Sequence, residues 1–509
     1  MLACVSALFA FSLRGATCGN CHPREAARFA ASPMARSIGP PQPLPQGRVE
    51  HALSRAVITS ESHGQQMIHR ISESGLIAEY SIAYQIGSGR RGRTYAVRIG
   101  DYLEESPISW YDGHGWDVSP GFESLKLLDA DRPITSTCLF CHAGQSKFAD
   151  EDGRRLDPAV PVSGIGCDRC HGPGDEHARH PTRSNIVNPT RLSGARRDSI
   201  CEQCHLEGDV RVVNPGKREQ DFRPGELLEK TIVPYLLRRA GQQRPAVSQV
   251  EELAESQCAR ASGGRLWCGT CHQAHGEAVD RKRQIREICL SCHASLTKQS
   301  HPTMDADCVA CHMPRRSTSN IAHVSVTDHR IQRPGSAAPE TGGASDTIVP
   351  WRRPDPQVEQ RDLALAELQM GYQQKLPEML KDAVRLLESL PGAQQSNDPD
   401  VLANLEVVYL EASAPEKALA LAQWAAEADP RSAAFALNIG IACIRAGRAK
   451  DAEQQLKRAI DLDPSLMQAY AELAVLYDRQ QRTAEAKETL QRFLRWNPQS
   501  IQFRLALKQ

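Results

Sequence analysis

Seven copies of the pentapeptide C-x-x-C-H run through this chain and take up fourteen of its 17 cysteines. They are Cys18-Gly-Asn-Cys21-His22, Cys138-Leu-Phe-Cys141-His142, Cys167-Asp-Arg-Cys170-His171, Cys201-Glu-Gln-Cys204-His205, Cys268-Gly-Thr-Cys271-His272, Cys289-Leu-Ser-Cys292-His293 and Cys308-Val-Ala-Cys311-His312. Two thiols one turn apart can add to the two vinyl groups of one porphyrin, and the next residue places an imidazole nitrogen under the iron. Each copy therefore reads as a site for one covalent haem c, seven in all.

Two other chemistries use paired cysteines. Structural zinc is held by C-x-x-C units, and fourteen thiols could form a disulfide framework. Neither requires a histidine directly after every second cysteine, and seven independent dithiols of the thioredoxin kind are less fitting still. Of the remaining cysteines, Cys443 falls in a helical repeat and reads as a small buried apolar residue. Cys4 and Cys258 have no partner at a motif spacing.

The chain has 61 basic and 61 acidic side chains, which gives no sign of a nucleic-acid or membrane-surface partner. Residues 2–13 form a mostly apolar run too short to span a bilayer, and residues 1–16 resemble a secretory leader. No other stretch reads as an integral membrane segment. Because c-type haem attachment in bacteria takes place outside the cytoplasmic membrane, the motifs point to the periplasm or another extracytoplasmic space.

Composition divides the rest of the chain. Residues 17–330 carry every motif and should form a seven-haem domain, mostly loops and short helices with a small β insert. Alternation in Ile82-Ala83-Tyr84-Gln85-Ile86 and in Thr94-Tyr95-Ala96-Val97-Arg98-Ile99 predicts a hairpin or small meander. Aromatic residues make up only 5% of the chain, so porphyrins would supply missing apolar bulk. Residues 331–360, rich in Pro, Gly, Ala and Ser, read as a linker.

From residue 361 to 509 the composition turns to Ala, Leu, Glu and Gln at helical spacing. Pro430, Pro464 and Pro498 stand 34 residues apart, the tetratricopeptide period. In that register three units begin at Pro399, Ala433 and Met467. Leu405, Ile439 and Leu473 then share one position, Tyr409, Cys443 and Tyr477 another, and Ala418, Ala452 and Ala486 a third. Gly371 and Ala383 suggest a degenerate earlier copy, and Gly440 allows close helix approach. The competing reading is a plain helical bundle. Stacked repeats would form an all-α solenoid whose concave face suits a peptide or partner protein.

The second axial ligand decides what each iron can do. Two strong ligands leave it to shuttle electrons, whereas a vacant face can bind a small molecule. Ten histidines lie outside the motifs. His69, His177, His275, His301, His323 and His329 are the better placed distal ligands, and His51, His63, His114 and His180 the poorer ones. His275, three residues after His272, cannot easily reach its own iron's far side and would serve a neighbouring haem.

The opening Cys18–His22, Pro23-Arg24-Glu25 and Ser32-Pro33-Met34 resembles multihaem cytochromes related to the electron carrier of bacterial ammonia oxidation. In that group a distal histidine follows the first motif where this sequence has Met34. The resemblance thus implies either a thioether ligand or an open iron there. The ending Cys308–His312, His323 and Thr327-Asp328-His329 is similar to the same group, where the matching histidines are distal ligands. Over residues 17–500 the chain looks like bacterial proteins in which such a domain precedes tetratricopeptide repeats.

The expected function is an electron carrier whose haems form a wire, docked to a redox partner protein by its repeats. Motifs two to four are 29 and 34 residues apart and the last three 21 and 19, intervals short enough to keep porphyrins close. The alternative is an enzyme, a reductase of nitrite, hydroxylamine or a sulfur oxyanion with one open haem.

Overall fold

A computed structural model describes residues 14–64, 66–150, 152–239, 243–276, 280–294, 307–334, 346–390 and 398–508. Most of the leader, with Cys4, and His301 lie outside the described residues.

The β region is much larger than a hairpin. A ten-stranded antiparallel sheet draws on residues 38–133, and its main path runs from Arg132–Pro133 through Tyr102–Glu105, Gly92–Ile99, Leu76–Ile86, Gln66–Glu73 and Val57–His63 to Gly47–Glu50. The predicted hairpin is its centre, with Ile86 opposite Thr94 and Ile82 opposite Val97. Strands Gln66–Glu73 and Leu76–Ile86 alternate buried and exposed residues along most of their length. The turn joining them needs left-handed backbone at both central residues, Ser74 (φ 51°) and Gly75 (φ 74°), which matches the twist of the flanking strands. Ile58, Ile71, Tyr95, Ile108, Phe122 and Leu128 fill the core under the sheet.

At the other end, helix pairs Pro399–Glu411 with Pro415–Ala428, Ala433–Arg445 with Ala449–Leu462, and Met467–Arg479 with Thr483–Trp496 begin at the residues where the 34-residue register places the units. An earlier pair, Glu359–Gln374 and Pro377–Ser389, precedes them. Leu405, Ile439 and Leu473 are buried, as are Tyr409, Cys443 and Tyr477. A Cβ on Gly440 would stand 2.8 Å from Leu456, so only glycine lets these two helices approach so closely.

The described parts of the segment read as a linker are tied into the fold. Strand Thr347–Pro350 joins the edge of a three-stranded sheet by pairing with Ile232–Arg238, which pairs in turn with Val210–Val213. Arg352 bonds Glu202, and Gln332 accepts from His312 Nδ1 at 2.8 Å. The apolar pair Ile348 and Val349 makes the strand worth forming. Val210, Val212, Val233, Tyr235 and Ile348 pack into the same core as the repeat helices.

The repeats meet the haem half at equivalent loops. Asp152 holds the Ser432 hydroxyl and the Ala433 N–H, Arg154 reaches Ser465 and Asp463, and buried Asp129 accepts the Ile501 N–H at 2.7 Å and the Tyr80 hydroxyl at 2.5 Å. No helix among the described residues is long and apolar enough to cross a membrane.

Candidate functional site: a cavity lined by seven motifs

Every motif contains a helical turn, the first on Arg14–Cys21, the second on Ser136–His142, the fourth on Gly194–His205 and the sixth on Arg281–Cys292. Bonds from His22 N–H to Cys18 O, His171 N–H to Cys167 O and His293 N–H to Cys289 O close the turns. A helical turn puts residues i, i+3 and i+4 on one face, so two sulfurs and one imidazole point the same way.

All fourteen motif cysteines and all seven motif histidines line one continuous cavity of about 4050 Å³. That is about 580 Å³ for each motif, inside the roughly 300–1,000 Å³ of a site for one small organic molecule. Fourteen arginines and a lysine line it against seven carboxylates. This local excess, hidden in a chain of zero net charge, suits a cofactor that carries propionates.

Three pairs of imidazoles face each other across this space. The ring centroids of His22 and His177 are 6.4 Å apart with planes 14° from parallel. His171 and His275 are 5.9 Å apart at 8°, and His272 and His329 are 6.3 Å apart at 23°. Such rings are too far apart for van der Waals stacking. Two imidazoles on opposite sides of one metal ion, each at a metal–nitrogen distance of about 2 Å, have centroids at roughly this separation.

Tautomers agree with that fit. His171 Nδ1 lies 2.7 Å from Val187 O, His312 Nδ1 2.8 Å from Gln332 O, and His329 Nδ1 2.8 Å from Thr327 O. A carbonyl only accepts, so Nδ1 carries the proton and Nε2 keeps its lone pair for a metal. Burial lowers the pKa of His142, His205 and His275, which favours the neutral, ligating imidazole.

The motifs also touch one another. The Cys167 thiol bonds to that of Cys18, Cys141 to Cys204, Cys201 to Cys268, and Cys289 to Cys308. Burial pushes the Cys170 thiol up to about 11, so it is protonated at neutral pH. No disulfide joins the 16 described cysteines.

Not every sequence-based candidate reaches the cavity. His69 is fully buried beneath the sheet instead, with Nδ1 2.7 Å from Ser106 Oγ and its ring against Tyr95 and Trp116. Its strand pairing turns it inward with Met67 and Ile71, and burial lowers its pKa to about 3. His323 lies on Asp117 and His114, drawn there by the carboxylate. His51, His63 and His180 do not line the cavity either. Met34 does, and its carbonyl accepts the Ile165 N–H two residues before Cys167. Cys258 is also in the wall, a position that no motif spacing signals.

Known proteins match in pieces. The family model for cytochrome c554 and c-prime matches residues 123–172, the doubled CXXCH motif residues 260–298, and the tetratricopeptide repeat residues 444–509. The multiheme cytochrome MtrA of Shewanella baltica (strain OS185) is 27% identical over 175 residues, 31% of this chain and 52% of that protein. The chain thus spans about half the length of this curated relative. Among solved structures, MamA aligns with 27% of this chain and 80% of its own at 21% identity and a TM-score of 0.24. Pseudomonas aeruginosa pilF aligns with 30% of this chain and 68% of its own, at 25% identity and a TM-score of 0.26. The chain therefore joins multihaem cytochrome c features to a C-terminal tetratricopeptide repeat, and over part of its length it is homologous to a multihaem cytochrome.

Proposed function

We propose that this chain is an extracytoplasmic seven-haem cytochrome that passes electrons between closely packed haems. The observation that carries this reading is the single cavity shared by all 21 motif side chains. When bound, haem supplies a one-electron couple whose potential depends on axial ligand, burial and neighbouring charge. The fourteen cysteines would anchor it and the seven motif histidines would hold its iron, with His177, His275 and His329 available as further ligands where they face His22, His171 and His272. Contacts between thiols order the sites: the first beside the third, the second and fifth both beside the fourth, the sixth beside the seventh. That puts the fourth between the second and the fifth.

The repeats serve protein–protein interaction, and we assign them the docking of a redox partner. Bonds from equivalent loops to Asp152, Arg154 and Asp129 hold them at a set position beside the haem half. Intact mass tests the count, since seven additions of one haem each are expected and fewer would contradict it.

One observation favours a second reading, in which an iron stays open for a small nitrogen or sulfur oxyanion. Among the described residues the cavity wall carries three spare imidazoles, His177, His275 and His329, for seven motif histidines. Met34 and Met313 add two thioethers. A high-spin ferric signal in electron paramagnetic resonance, with carbon monoxide binding after reduction, would support a reductase, and uniformly low-spin haems would rule it out.

A further inference from the structure

His114, Asp117 and His323 form a cluster away from the haem cavity whose ligand atoms all lie within 4.8 Å of one another. His114 and Asp117 come from one β-hairpin, strands Ile108–Tyr111 and Gly115–Val118, and His323 from the connection between Arg315–Ser317 and Ser325–Thr327. Asp117 Oδ2 is 2.7 Å from His323 Nε2 and 3.5 Å from His114 Nε2. Two ligands at about 2 Å from one tetrahedral ion stand roughly 3.3 Å apart, so these separations bracket what a metal needs.

We propose that His114, Asp117 and His323 bind one divalent ion of the zinc class, with water completing the coordination. Two imidazoles and one carboxylate suit borderline ions such as Zn²⁺ better than Mg²⁺ or Ca²⁺, which take oxygen ligands. The carboxylate is already oriented, because Asp117 Oδ1 accepts the Val118 N–H at 2.8 Å and leaves Oδ2 toward the imidazoles. His323 is delivered by a left-handed backbone (φ 59°) that a non-glycine residue adopts at a cost, and its ring lies against the edge of Tyr111. The two imidazoles are parallel at 3.5 Å and must splay to share an ion, which their part-exposed positions permit.

Such an ion would clamp the segment that follows the last motif onto the β-sheet. It would also give His323 a role that excludes ligation of a haem. The site and the electron-transfer reading stand independently.

The test uses the full-length haem-loaded protein, stripped with chelator and titrated with Zn²⁺ by calorimetry. Wild type should take up one equivalent more than His114→Ala or His323→Ala, or bind that equivalent at least roughly tenfold more tightly. Asp117→Asn, which keeps the shape of the side chain, should weaken it in the same way. All three variants should keep the haem absorption and spin-state spectra of wild type. Unchanged Zn²⁺ binding in the variants overturns the site. A new high-spin haem in His323→Ala overturns it too, by showing that His323 ligates an iron.

Discussion

The motif-bearing loops and the repeats are built on opposite principles. From Gln257 to Pro334, a stretch with three motifs, Ile285 and Val324 are the buried hydrophobic residues among those described, each at 9% exposure. In the repeats almost every inward position is buried: Leu402, Leu405, Ala418, Leu456 and Ala459 are all at 0%. The repeats carry a dense core, shared at one end with the three-stranded sheet, whereas the motif-bearing loops line the cavity and bury few apolar residues. Burial of apolar surface drives folding, so the motif-bearing stretch from Gln257 to Pro334 depends on what it binds and the repeats do not.

The sharpest way to break this contrast is to prevent haem attachment. Protein made without the attachment machinery should be cut rapidly by protease between residues 257 and 334, while helices from Pro399 to Trp496 keep their circular-dichroism signal. Resistance of the loops would show that they fold without cofactor.

Next in size is the loss of one facing imidazole. His177→Ala should convert one haem from low to high spin, and His69→Asn should leave the haem spectrum unchanged because His69 lies under the sheet. The reverse result would exchange their roles.

On the repeat side, Leu456→Ala should lower stability by about 2–5 kcal/mol in urea unfolding, without altering the haem spectrum. A cost under about 1 kcal/mol would mean that the repeats lack the dense core described.

A last effect, read as a slope with pH, lies where the halves meet. Glu104 is buried beside Arg154, and desolvation pushes its carboxyl up to about 8 from 4.5. Between those values the folded state binds more protons than the unfolded chain, so this group stabilises the fold at low pH and its contribution is lost as pH rises toward 8. Its slope is at most about 1.4 kcal/mol per pH unit. Glu104→Gln should flatten the decline in melting temperature across this range, and an unchanged slope would show that Glu104 titrates normally.

Much of the architecture was legible from local spacing. The five-residue motif contains its own geometry, because one helical turn aligns Cys18, Cys21 and His22 whatever surrounds them. The 34-residue register gave the starts of three helix pairs, since repeats contact mainly their neighbours. The ten-stranded sheet was only half visible. Val57–His63 has only Val57 and Ile58 as apolar residues and buries Ser60, so no apolar alternation marks it as Ile82–Ile86 is marked. The strand Thr347–Pro350 was hidden among Pro and Gly, although its β-branched run was a signal.

The haem-attachment motifs and the 34-residue repeats were therefore legible in the sequence alone, through patterns that close within one turn or one repeat. Which histidine faces which motif was decided by tertiary structure. His22 meets His177 and His171 meets His275 across long separations, while His69 and His323, equally plausible by position, are taken by Ser106 and Asp117. A ligand's partner is set by where two distant backbones meet, and no local spacing encodes that.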